Sequence, residues 1–126
     1  MHVIVVGLSH KTAPVEIREK LAVPESRLRE ALSRLCSYPG VREGLLLSTC
    51  NRVEVYAVVE ELETGYGRVQ EFLADTHLSL SSEHLTPHLY WHAGDRAIGH
   101  LFRVASSLDS MIVGESQILG QIKDAF

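Results

Sequence analysis

A chain of 126 residues, 45% hydrophobic and 22% charged, has the make-up of one soluble domain with a core of its own, and none of its apolar runs approaches the roughly 20 residues that span a bilayer. Its net charge of −4 excludes indiscriminate binding to polyanions. Two cysteines, Cys36 and Cys50, are too few for a disulfide framework, so reduced thiols in a cytoplasmic protein are expected.

Met1 to Leu8 is rich in β-branched residues and has neither a basic leader nor a small-residue cleavage site, which predicts a buried first strand and not a signal peptide. A loop from Gly7 to Pro14 follows, and Pro14 suits the start of a short helical turn running to Leu21. Pro24 and Glu25 open a second helix. Its stripe of Leu28, Ala31, Leu32, Leu35 and Cys36 at i, i+3, i+4, i+7 and i+8 predicts a core face that includes Cys36. Tyr38-Pro39-Gly40 ends it.

Strands are predicted over Val41–Ser48 and Arg52–Val59, with the polar segment Ser48 to Arg52 as the bend between them and Asn51 as its turn-tolerant residue. Val53, Val55 and Ala57 alternate with Arg52, Glu54 and Tyr56, the period of a half-buried strand. Glu60 to Thr64 reads as an acidic loop, and Gly65-Tyr66-Gly67 as the lead into a helix carrying Val69, Phe72 and Leu73. After a polar connection from Ser79 to Pro87, Leu89-Tyr90-Trp91-His92 makes a short strand. The order β-α-β-β-α-β predicts an α+β fold of the ferredoxin-like, split βαβ kind, an antiparallel sheet with helices on one face.

Additional helices follow. Asp95 caps one whose apolar face is Ile98, Leu101, Phe102, Ala105 and Leu108, with His100 at the rim. Ser106 to Gln117 reads as a polar linker, and Ser116 to Phe126 as a final helix. Because that amphipathic pattern reaches the last residue, the expectation is an N-terminal piece of something longer, with a domain over 1–108 and a linker plus the start of a connecting helix over 109–126.

The chemistry points to Cys50. Its sulfur sits among polar residues at a strand bend, and Arg52, two residues along an extended segment, projects to the same side, where it would favour a thiolate or hold an anion. Two readings stand side by side, a nucleophile and an inert edge thiol. Residues 1 to 52 hold eight Lys and Arg against five Asp and Glu, and the remainder four against eleven; for most of these residues the reading is a solvated surface, with a local anionic partner near Cys50 as the alternative. His84, His88 and His92 recur every four residues, but Pro87 breaks the helix that would align them on a metal, so no metal site is assigned. Gly65-x-Gly67-x-x-Gln70 lacks the third glycine of a dinucleotide fingerprint and follows an acidic loop.

Three segments together resemble the glutamyl-tRNA reductase family: Gly7-Leu8-Ser9-His10-Lys11-Thr12-Ala13-Pro14; Leu47-Ser48-Thr49-Cys50-Asn51-Arg52 with Glu54 and Tyr56; and His100 to Ala105 leading to Leu108-Asp109-Ser110, Gly114-Glu115 and Gln117 to Gln121. Ser107 departs from the glycine usual in the family. The resemblance implies an NADPH-dependent oxidoreductase of tetrapyrrole (porphyrin) biosynthesis. Cys50 would attack the aminoacyl ester of glutamyl-tRNA, and the thioester would be reduced to glutamate-1-semialdehyde. It implies Cys50 and His100 as catalytic residues, Arg52 as the partner of the substrate side-chain carboxylate, and Thr49, Asn51, Ser110, Glu115 and Gln117 as further substrate contacts. NADPH would bind in a separate domain, absent from this chain, and the whole protein would be a homodimer with glutamate-1-semialdehyde aminomutase as a candidate partner. The competing reading is a regulatory piece of the same enzyme that senses haem or docks a protein.

Overall fold

Alternating β-branched strands and striped helices produce the expected order in the computed structural model, which describes residues 1–76 and 80–111. The strands are β1 (His2–Ser9), β2 (Val41–Ser48), β3 (Arg52–Val59) and β4 (Tyr90–Ala93). The helices are α1 (Val15–Leu21), α2 (Leu28–Cys36), α3 (Leu62–Asp75), the single turn α4 (Ser82–Leu85) and α5 (Asp95–Met111). The sheet order is β2-β3-β1-β4 with every pairing antiparallel, the arrangement of the split βαβ plan. No helix among the described residues is long and apolar enough to cross a membrane.

One face of the sheet carries Ile4, Val6 and Leu8 of β1 with Val53, Val55, Ala57 and Val59 of β3, packed under α1 to α3 through Leu21, Ala31, Leu35, Val69, Phe72 and Leu73. This is the main core. Helix α3 starts at Leu62, so both Gly65 and Gly67 lie inside it and not ahead of it. A Cβ on Gly65 would fall 2.5 Å from Cβ of Val59, so the glycine is what lets α3 approach β3. Cys36 corrects its expected place: it is exposed. The buried line of α2 runs through Ala31 and Leu35, and Cys36 lies one step of about 100° further round the helix.

The other sheet face is not left to solvent. Helix α5 covers it, and Val5, Leu45 and Tyr56 form a small second cluster with Ala97 and Leu101. The orientation of α5 differs from its apolar pattern. Ala97, Leu101 and Val104 are buried, while Ile98 is 41% and Phe102 67% exposed. The helix is rolled so that His100 turns toward the sheet. It also runs to Met111, so residues from Ser106 that read as linker continue it. The apolar spacing Leu101, Val104, Leu108, Met111 carries the helical period across Ser106 and Ser107.

Candidate active site

The β2–β3 hairpin closes with the Thr49 N–H donating to the Arg52 carbonyl at 2.8 Å, leaving Cys50 and Asn51 at the tip. Among the described residues no non-glycine has positive φ. The bend is made by the Thr49 hydroxyl, which accepts from the N–H groups of Asn51 (3.1 Å) and Arg52 (3.2 Å). Three contacts tie it down. The His10 N–H donates to the Asn51 carbonyl at 2.7 Å. Arg18 Nη1 donates to the Cys50 carbonyl at 2.7 Å. Ser48 Oγ accepts from the Val23 N–H at 2.9 Å. Cys50 is exposed, as a thiol lifted out of the sheet edge should be; the backbone that carries it is fixed on both sides.

Behind the tip, the same alternation that places Arg52 outside the main core places Glu54 and Tyr56 beneath α5. Glu54 is 0% exposed. Its Oε1 accepts from the Tyr56 hydroxyl at 2.8 Å. Its Oε2 accepts from the Tyr90 hydroxyl and from His100 Nε2, and meets Arg52 Nη1 at 3.5 Å. Gly7 makes this possible. It is paired with Glu54 on one side and Tyr90 on the other, and a Cβ there would lie 2.9 Å from Glu54 Cγ and 2.6 Å from the Val53 carbonyl oxygen. The Glu54 side chain therefore crosses over the bare β1 backbone to reach Tyr90. Gly7→Ala should cost about 2–3 kcal/mol of stability by overpacking, read as a lower urea midpoint at unchanged slope, because a central strand cannot move aside.

Burial alone would raise the Glu54 carboxyl, but hydrogen bonds from His100 and Tyr90, the charge of His100 and the Tyr56 hydroxyl outweigh it and hold it below the usual carboxylate range. Burial and then the Glu54 charge push the Tyr56 and Tyr90 phenols well above ordinary tyrosine. A carboxyl depressed on folding stabilises the fold above its unfolded value of about 4.3, and this is lost as pH falls through the lower folded value. Below about pH 4.3, unfolding free energy should therefore fall more steeply in the wild type than in Glu54→Gln, measured by denaturant titration at stepped pH.

A carboxylate only accepts, so His100 Nε2 carries the hydrogen and Nδ1 is left for chemistry. This is the carboxylate–imidazole arrangement that fixes a histidine's tautomer and orientation. The rings of Tyr90 and His92 lie 5.4 Å and 5.2 Å from that of His100. Burial first, then the charges of His100, Arg96 and Arg103, lower His92, so it stays the neutral neighbour.

The structure thus brings Arg52 and His100 onto one carboxylate, with Cys50, Thr49 and Asn51 at the tip of the same hairpin. Ser110 falls in the last turn of α5. Glu115 and Gln117, and the helix expected over Ser116–Phe126, lie outside the described residues. Glu54, Tyr90 and His92 were not singled out as site residues from sequence, although Arg52-x-Glu54-x-Tyr56 and Tyr90-x-His92 each put polar groups on one strand face. Among the described residues no cluster of His, Cys, Asp or Glu is arranged around a metal. His84 meets Ser81 at 2.9 Å, His88 meets the Thr12 carbonyl at 3.0 Å and His92 stacks near His100. The Gly65-Tyr66-Gly67 segment is not a dinucleotide loop: it lies inside α3, and Gly65 packs against Val59.

The profile of the family described as Glutamyl-tRNAGlu reductase, N-terminal domain, matches residues 6–126. The chain is 55% identical over its whole length to 29% of the glutamyl-tRNA reductase of Geotalea uraniireducens (strain Rf4). It is 49% identical over its whole length to 28% of that of Bacillus subtilis (strain 168). In structure it is similar to the glutamyl-tRNA reductase from Methanopyrus kandleri, with a TM-score of 0.63 and 36% identity over 98% of this chain and 27% of that one. The chain therefore spans less than a third of the length of these relatives.

Proposed function

Given that the chain belongs to the glutamyl-tRNA reductase N-terminal domain family, we propose that it carries the acyl-transfer half of that reaction, on glutamyl-tRNA, in the cytoplasm. The observation behind this is an exposed thiol at the tip of a fixed hairpin whose next strand carries a guanidinium and the carboxylate that holds an imidazole. The ester is already activated, so a thiolate suffices as nucleophile. The Cys50 proton passes to His100 Nδ1. Sulfur bonds to the carbonyl carbon, the carbon–oxygen bond to the terminal ribose breaks, and Nδ1 returns the proton to the leaving oxygen. The products are a glutamyl thioester on Cys50 and free tRNA.

Arg52, with a side chain 21% exposed, is the partner for the substrate side-chain carboxylate, a charge-assisted contact that glutamine cannot supply. Thr49 retains its hydroxyl hydrogen for the substrate, since the oxygen is the part that shapes the turn. Asn51, Ser110, Glu115 and Gln117 complete the proposed substrate contacts. Reduction of the thioester calls for a nicotinamide site. That step is assigned to the part of the reductase outside this chain, which spans 29% of the Geotalea uraniireducens relative. Incubating the chain with glutamyl-tRNA labelled in the amino acid, without NADPH, should leave hydroxylamine-labile label on the peptide that contains Cys50. Label that stays on tRNA throughout overturns the reading.

A further inference from the structure

Oε2 of Glu54 has more donors than it can serve. Tyr90, His100 and Arg52 all aim at it, while Oε1 has only Tyr56. An sp² oxygen offers two lone pairs. Arg52, at 3.5 Å, is the loosest of the three and has the more exposed side chain of the two basic partners, 21% against 16% for His100. It is the donor that leaves at least cost when a competing anion arrives. The Glu54 charge then stays buried, because the carboxylate itself is 0% exposed. Of its remaining partners, Tyr56 and Tyr90 can give only neutral hydrogen bonds. His100 alone can become a cation.

We propose that Glu54 is a positioning residue that couples the two ends of the substrate: a side-chain carboxylate that captures Arg52 hands the buried anion wholly to His100, whose Nδ1 then binds a proton, the one it takes from Cys50 in the reaction, more firmly. The proposal rests on the glutamate-site reading of Arg52. An uncompensated buried carboxylate is strongly unfavourable, and this drives the proton onto the imidazole. The balance is simple: the arriving carboxylate neutralises Arg52, and the proton on His100 neutralises Glu54. The rings beside the imidazole are Tyr90 and His92 from β4, and α5 itself carries Arg96 four residues before His100 and Arg103 three after it. The device gives specificity beyond affinity. A side chain without a carboxylate leaves Arg52 in place, and Nδ1 is then the weaker base toward Cys50.

The test is NMR titration of the His100 ring in the labelled chain with two probes, isoglutamine (side-chain carboxylate, no ester) and glutaminamide (no carboxylate). Saturating isoglutamine should move the His100 midpoint up by about one pH unit, the size of a nearby-charge effect, and glutaminamide should leave it where it was. Glu54→Gln should bind isoglutamine with no such movement. Should that variant not fold, Tyr90→Phe decides. Removing one donor lets Oε2 hold Arg52 more firmly, so isoglutamine should bind roughly threefold or more weakly. A His100 midpoint that ignores bound isoglutamine, a full shift in Glu54→Gln, or undiminished binding in Tyr90→Phe would overturn the coupling. Isoglutamine that fails to perturb the Arg52 Nε resonance would remove the glutamate-site reading, and the coupling with it. Acyl trapping on Cys50 reports on the nucleophile separately.

Discussion

Cys50→Ser should lose at least about 1000-fold in the single-turnover rate of glutamyl transfer from tRNA to protein, the scale seen when a nucleophile is removed from an otherwise intact site. A hydroxyl is far less ionised than a thiol near neutrality, and the chain's other thiol is remote: Cys36 sits at the end of α2, on the opposite side of the sheet from α5. Folding should be untouched, because Cys50 is exposed and the hairpin is held through backbone atoms of Cys50 and Asn51 and through the Thr49 hydroxyl. The measurement is rapid-quench recovery of acid-stable label on protein, with circular dichroism as the check on the fold. A rate within tenfold of wild type would assign the chemistry elsewhere.

Arg52→Gln should reduce acyl transfer from glutamyl-tRNA about 100-fold, from loss of a charged pair worth about 2–4 kcal/mol. Transfer from tRNA misacylated with glutamine should scarcely change. The two substrates would then differ little, which is the signature of a residue that reads charge. Stability should hold, because Glu54 keeps Tyr56, Tyr90 and His100 when Arg52 is gone. Arg52→Lys should recover only part of the loss, since a point charge cannot reproduce a forked pair. Comparing the rates on the two aminoacyl-tRNAs in parallel tests this, and unaltered discrimination in Arg52→Gln would rule out the assignment.

The two long strands around Cys50 were legible in the sequence because both signals, alternation and a polar break, are local. The bounds Val41–Ser48 and Arg52–Val59 are those observed. The strand order followed from the βαββαβ sequence of elements, which leaves few ways to bury both helices on one face. The roll of α5 was not legible. Its apolar count favoured Ile98 and Phe102 facing inward, and that count omits the demand of a buried carboxylate for a donor. Glu54 hid for the same reason. On a half-buried strand it looks like an outward-facing residue, and only the arrival of an element distant in sequence, with His100 on it, makes it a buried anion. Gly7 likewise shows its purpose only when β1 lies between β3 and β4. Pair contacts across 46 residues leave no periodic trace.

That thin second cluster has a kinetic meaning. Among the described residues, helix α5 is fastened by a handful of apolar contacts and a polar knot, whereas the opposite face of the sheet is sealed by a large apolar core. Subglobal opening can therefore release α5 while the strands and the other helices persist. The imidazole would swing away with it while the sulfur stayed behind on its hairpin. The proposed acyl transfer should thus be less durable than the fold that supports it, with heat or mild denaturant silencing it before the chain melts.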